Sequence, residues 1–180
     1  MNLPGFLIAS VAAVPLLMGG NAFGQDAQKI RSDASGNPTA VSSQDGKYLD
    51  KNGNPTFHIA PDGTVDYYTF VGYIRYTANC MPCHGPDGLG SSYGPVLVST
   101  LQRLDYAEFY GTVAGGKKDV NTAQTLVMPT FGTNKNVMCY LDAIFVYLRA
   151  RSDGALDRGR PEKHVAEPAG YRKAEDECMG

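Results

Sequence analysis

Met1 to Gly24 lacks Lys, Arg, Asp and Glu altogether. Its apolar run, Phe6 to Met18, has the length of the hydrophobic region of an export signal and is too short to span a bilayer. The n-region carries no basic side chain, so the α-amino group is its one positive charge. Ala22-Phe23-Gly24 supplies the small residues that a signal peptidase reads, and cleavage is expected near Gly24, with a retained anchor as the alternative. No later stretch is long and apolar enough to cross a membrane, so the mature chain is expected to be soluble. Basic residues are not in excess: 16 Lys and Arg are scattered among 18 Asp and Glu, for a net charge of −2, which argues against a nucleic-acid partner. There are no internal repeats, no alternation of strands and helices in βαβ units, and no loop with EF-hand spacing. Cysteine is scarce, with four in 180 residues.

Glycine and proline, by contrast, are plentiful, at 21 and 11, and point to a loop-rich chain. The length suits one domain with extensions. Gln25 to Gly46 is polar and reads as a flexible N-terminal arm (residues 25–46). Two turn signals, Lys51-Asn52-Gly53-Asn54 and Pro61-Asp62-Gly63-Thr64, flank Thr56-Phe57-His58-Ile59 and predict a small accessory β-hairpin within residues 47–65. Asp66 is the expected N-cap of a helix running to Asn79, with Phe70, Tyr73, Ile74 and Thr77 at helical spacing. A second short helix is expected over Asp105 to Ala114, stopped by Gly115-Gly116. A polar loop opened by Lys117, Lys118 and Asp119 should then run to about Thr125. A long amphipathic helix follows from about Asn134 to Ala150, with Val137, Tyr140, Leu141, Ile144, Tyr147 and Leu148 in one apolar stripe. The remainder, residues 152–180, has no apolar periodicity and is expected to wrap the surface as a C-terminal extension.

The chemistry of the chain centres on Cys80-Met81-Pro82-Cys83-His84. Two thiols three residues apart, with an imidazole directly after the second, form the attachment pattern of a covalent c-type haem. A thioredoxin-type pair would need a βαβ context, and a zinc site would need two further ligands close by. Attachment of c-type haem takes place outside the bacterial cytoplasm, so the export signal agrees with it and places the protein in the periplasm. That compartment is oxidising, and a disulfide between the other two cysteines, Cys139 and Cys178, is expected.

His84 is the expected proximal ligand of the iron. Its second ring nitrogen needs an acceptor, for which the Pro95 carbonyl in the stiff loop Gly94-Pro95-Val96-Leu97 is the candidate. Met128, followed by Pro129, is the candidate sixth ligand; Met138, a histidine or an open position are the alternatives. A thioether ligand raises the reduction potential relative to two histidines, which suits an acceptor of electrons.

These residues resemble the class I cytochromes c. That family carries a Gly and an aromatic eight and four residues ahead of the first haem cysteine, here Gly72 and Tyr76. Its terminal helix packs an aliphatic and an aromatic on that pair, here Ile144 and Tyr147. Gly94-Pro95-Val96-Leu97 and Met128-Pro129 match its two ligand loops. The resemblance implies a mainly α fold, with few helices around one covalent haem c over residues 66–151.

A narrower resemblance rests on Asn79-Cys80-Met81-Pro82-Cys83-His84-Gly85-Pro86-Asp87-Gly88, on Val113-Ala114-Gly115-Gly116-Lys117-Lys118 and on the string from Thr133 to Asp142 that continues through Tyr147 to Gly154. These are similar to four-cysteine, methanol-metabolism-related cytochromes, which resemble cytochrome cL; Cys139 and Cys178 agree with that group. The resemblance implies a monomeric electron carrier rather than an enzyme. It would take single electrons from a lanthanide-type pyrroloquinoline quinone (PQQ) methanol or alcohol dehydrogenase and pass them to a downstream cytochrome or oxidase. The surface around Cys80–Cys83 and Met128 would be its docking face. A haem enzyme or ligand-binding sensor with an open sixth position is the alternative reading.

Overall fold

The computed structural model describes residues 38–120 and 125–180; the segment read as an export signal and most of the stretch read as a polar arm lie outside the described residues. Helix α1 (Tyr67–Asn79) begins where the Asp66 carboxylate accepts from the Thr69 amide at 2.8 Å and the Thr69 hydroxyl at 2.6 Å. The same carboxylate accepts from the His58 amide at 2.8 Å, so the cap also holds the preceding segment. Burial outweighs these bonds and keeps the Asp66 carboxyl above the usual carboxylate range.

The chain then makes a one-turn helix, α2 (Met81–His84), a 3₁₀ turn (Pro86–Gly88) and a short helix, α3 (Leu97–Thr100). Helix α4 (Tyr106–Gly115) opens on a capping box, with the Asp105 carboxylate accepting from the Glu108 amide and the Glu108 carboxylate from the Asp105 amide. A pair of antiparallel β-strands and a short helix, α5 (Lys135–Met138), lead into α6 (Leu141–Ser152), and α7 (Ala169–Met179) closes the chain.

The core forms where α1 crosses α6. Gly72 lies so close to α6 that a Cβ there would sit 1.9 Å from the Ala143 carbonyl oxygen. Tyr76, Ile144, Tyr147 and Leu148 continue this contact into the main apolar cluster, with Leu101, Phe109, Val113, Val137, Leu141 and Phe145. The expected stripe on the last helix is buried throughout, but so are Val146, Arg149, Ala150, Arg151 and Ser152. The helix is covered on a second face as well. A separate cluster of Tyr68, Val71, Tyr140, Ala143, Val146 and Tyr171 fills the space between α1, α6 and α7.

Four features depart from the expectations. The N-terminal sheet has three strands, β1 (Ser42–Gln44), β2 (Lys47–Leu49) and β3 (Pro55–Thr56), in that order and antiparallel, so it starts inside the stretch read as an arm. Asp45-Gly46 makes the first turn with both residues at positive φ, a tight hairpin turn for which Asp-Gly is a favoured pair.

Secondly, where a polar loop is expected, β4 (Lys117–Val120) and β5 (Thr125–Met128) are antiparallel strands, pairing Lys117 with Met128. Thirdly, the long helix expected from Asn134 breaks at Cys139 and Tyr140, where Tyr140 leaves helical geometry at φ −118° and ψ 12°. Finally, the extension contains α7. Its Tyr171 is buried, while Glu175 and Cys178, further along the same face, make specific bonds. One buried residue in eleven is too few to register as periodicity.

Candidate haem site

The attachment turn grows from the end of α1. The Cys80 amide donates to the Tyr76 carbonyl at 2.8 Å, and the Cys80 carbonyl accepts from the His84 amide at 2.9 Å and the Cys83 amide at 3.2 Å. One helical turn therefore presents both sulfurs and the imidazole. Both thiols are free; Cys80 is partly buried against the core and Cys83 is exposed. Burial, with Cys83 beside it, pushes the Cys80 thiol up to about 12, so at neutral pH it is S–H rather than thiolate.

His84 is buried, and its Nδ1 lies 3.1 Å from the Pro95 carbonyl oxygen. A carbonyl only accepts, so Nδ1 carries the proton and Nε2 keeps its lone pair for a metal. Gly94 makes this approach possible: a Cβ there would lie 2.8 Å from the Cys83 carbonyl oxygen and 3.0 Å from His84 Nδ1. Further bonds hold the loop. The Gly90 amide donates to the His84 carbonyl at 2.7 Å, and the Ser91 hydroxyl donates to the Cys83 carbonyl.

Beneath the turn, the Tyr76 hydroxyl donates to the Gly85 carbonyl at 2.5 Å. This bond adds to the packing role read from the sequence, and its signal is that a buried tyrosine needs a partner for its hydroxyl. Asp87, also missed, is buried at φ 59° and accepts from the Gly159 amide at 2.9 Å and Arg158 Nε at 3.1 Å. It fastens the C-terminal extension to the turn that follows His84.

Met128 ends β5, partly buried against the main cluster, which also receives Cys80, Met81, Leu97, Phe131 and Met138. The strand pairing fixes its backbone: a Cβ on Gly116 would lie 2.7 Å from the Met128 carbonyl oxygen. Both candidate methionines, Met128 and Met138, thus border the same core that Cys80 enters. Cys139 and Cys178 are bonded to each other, joining the α5–α6 junction to α7. A cavity of about 100 Å³ beside Lys47, Tyr140, Asp142 and Glu175 is lined in part by this second cluster, through Tyr68, Tyr140, Ala143 and Tyr171. Among the described residues no group of three or more His, Cys, Asp or Glu side chains could hold a metal ion.

Two free thiols one turn apart, a buried imidazole with one nitrogen engaged and the other available, and a loop that glycine lets close on the imidazole fit a haem c. Comparison with known proteins agrees. No protein-family model matches the chain. It is 48% identical over 136 residues to cytochrome c-553I of Paracoccus denitrificans, an alignment covering 76% of this chain and 60% of that protein's length. It is 34% identical over 100 residues to cytochrome c-555 of Methylococcus capsulatus, covering 55% of this chain and 75% of that one. The crystal structure of the c-type cytochrome XoxG from Methylobacterium extorquens AM1 superposes with a TM-score of 0.74 at 49% identity, over 86% of this chain and 90% of XoxG. With a mainly helical fold, a Cys80–His84 turn and these relatives, the chain belongs to the class I c-type cytochromes, electron-transfer proteins that carry covalently attached haem c.

Proposed function

We propose that this protein is a periplasmic monohaem electron carrier, reduced one electron at a time by a PQQ-dependent methanol or alcohol dehydrogenase and oxidised by a further c-type cytochrome or an oxidase. In this reading Cys80 and Cys83 hold the haem through thioethers, and His84 and Met128 are the axial ligands. The haem, when bound, supplies one-electron redox chemistry at its iron. His84 keeps its proton on Nδ1, where the Pro95 carbonyl fixes the ring and strengthens it as a donor. Apolar side chains of the main cluster exclude water from the ligand side. The export signal, expected to be cleaved near Gly24, and the absence of a helix long and apolar enough to cross a membrane among the described residues support the location.

The observation that carries the electron-transfer reading is the exposed rim at the attachment turn. Cys83 is exposed, and the Ser91 bond to its carbonyl brings the Ser91–Tyr93 turn beside it. Tyr93 is 72% exposed, and Leu89 and Val96 of the same loop are exposed too. A small apolar rim of this kind suits a transient partner with a limited interface. The methanol-linked donor is supported by the resemblance to four-cysteine methanol-metabolism-related cytochromes, with the disulfide those extra cysteines form. Stopped-flow mixing of the ferric protein with reduced PQQ-dependent methanol dehydrogenase tests it. Second-order reduction, with one electron taken per chain, is expected; no reduction by that enzyme alongside fast reduction by another PQQ dehydrogenase would move the donor.

A further inference from the structure

Helix α6 turns two polar side chains into the protein one turn apart, Tyr147, which is fully buried, and Arg151, which is 9% exposed. Residues four apart share a helix face. The Tyr147 hydroxyl and Arg151 Nε are both buried and neither has a hydrogen-bond partner within the protein. One terminal nitrogen of the Arg151 guanidinium donates to the Leu156 carbonyl. The 3₁₀ turn after His84 packs on this helix: a Cβ on Gly88 would lie 3.2 Å from Leu148 Cδ2. Asp87 on that turn is close enough for its charge to act on Tyr147 and to feel Arg151. Each of its carboxylate oxygens accepts one protein hydrogen bond and has capacity for another.

Leaving two buried polar groups dry is unfavourable, and native proteins resolve such pairs with internal water. The surroundings select the occupant. An anion would face the Asp87 carboxylate, and a cation would face the guanidinium. The occupant must accept from Nε–H, share a hydrogen with a hydroxyl and be able to donate to a carboxylate, which describes a neutral donor and acceptor such as water.

We propose that an ordered water molecule is bound between the Tyr147 hydroxyl, Arg151 Nε and the Asp87 carboxylate. It links α6 to the turn that carries His84. Through Asp87, which already holds Arg158 and Gly159, it fastens the C-terminal extension to the same point.

The sign of one substitution tests the site in the haem-loaded protein. If the hydroxyl is bonded to water, Tyr147→Phe lowers the folding equilibrium constant, roughly fivefold for one net hydrogen bond. If the hydroxyl is an empty orphan, the same change removes an unfavourable group and leaves the constant unchanged or raised, which overturns the proposal. A crystal structure of the unaltered holo-protein gives the second readout and does not depend on the variant folding. Water density at roughly 2.7–3.2 Å from both Tyr147 Oη and Arg151 Nε is expected, and a dry site there would equally overturn it.

Discussion

Gly72 and Ala143 touch backbone to backbone where the two principal helices cross. A side-chain carbon on Gly72 would fall 1.9 Å from the Ala143 carbonyl oxygen and 2.7 Å from Tyr147 Cβ. The obstacle is main chain, which cannot rotate aside. Gly72→Ala therefore has to push α1 off α6, against the Tyr76–Tyr147 ring contact at 5.4 Å. The expected loss is about 2–3 kcal/mol, at the upper end of ordinary overpacking. Guanidinium denaturation of the holo-protein checks it, and an unchanged midpoint would mean that the helices do not cross this closely.

The Cys139–Cys178 bond closes a separation of 39 residues. Beyond it, α7 is held by Glu175, which accepts from the Tyr140 hydroxyl and pairs with Arg75 at 3.4 Å, and by the edge contacts of Tyr171 with Tyr67 and Tyr68. Chain entropy puts the stabilisation at about 2–4 kcal/mol. Cys178→Ser should lower the denaturation midpoint accordingly. It should leave the visible spectrum unchanged, because α7 packs on the second cluster and not on the one that Cys80 and Met128 border. A spectral change would show that the extension reaches the haem.

Asp87 sets an acid-side dependence. Burial alone would raise its carboxyl, but the Gly159 amide, the Arg158 guanidinium and the charge of Arg151 outweigh it and hold it below the usual range. The folded state therefore favours the ionised form. Its contribution is present above the ordinary carboxylate pKa of about 4 and is lost as pH falls through the lower folded value. Asp66, raised by burial, acts in the opposite sense over neighbouring pH values, so the two must be separated by mutation. Asp87→Asn should flatten the decline of the denaturation midpoint below about pH 4. A decline as steep as in the unaltered protein would remove Asp87 as its source.

Much of the fold was legible because local physics agrees with the tertiary structure. Asp66 and Asp105 cap the helices they precede, and the stripe from Val137 to Leu148 is buried. The misses have physical causes. Helix α7 turns one tyrosine, one carboxylate and one half-cystine inward, so its inner face is held by specific bonds that hydrophobic spacing does not reveal. The β4–β5 pairing is made by backbone, and β4, with Lys117, Lys118 and Asp119 in a row, shows no apolar alternation that would mark it as a strand. The Cys139–Tyr140 break falls inside an unbroken apolar stripe and leaves no mark on it.

At the site, the two thiols, His84 and the Gly94-Pro95 loop could be read because they lie close together in the chain. Asp87 and the Tyr76 hydroxyl could not, because their roles depend on Gly159, Arg158 and Gly85 being brought to them.

The account rests above all on a histidine–methionine haem built from His84 and Met128. The ferric absorption spectrum of the holo-protein, compared with that of Met128→Ala, tests it most directly. The unaltered protein should be low-spin, with the weak far-red band of a thioether bound to ferric iron and no binding of carbon monoxide in the ferrous state. In Met128→Ala that band should vanish, the iron should open to carbon monoxide and the potential should fall. A high-spin unaltered protein that binds carbon monoxide at once, or a Met128→Ala variant that keeps the far-red band, would contradict it.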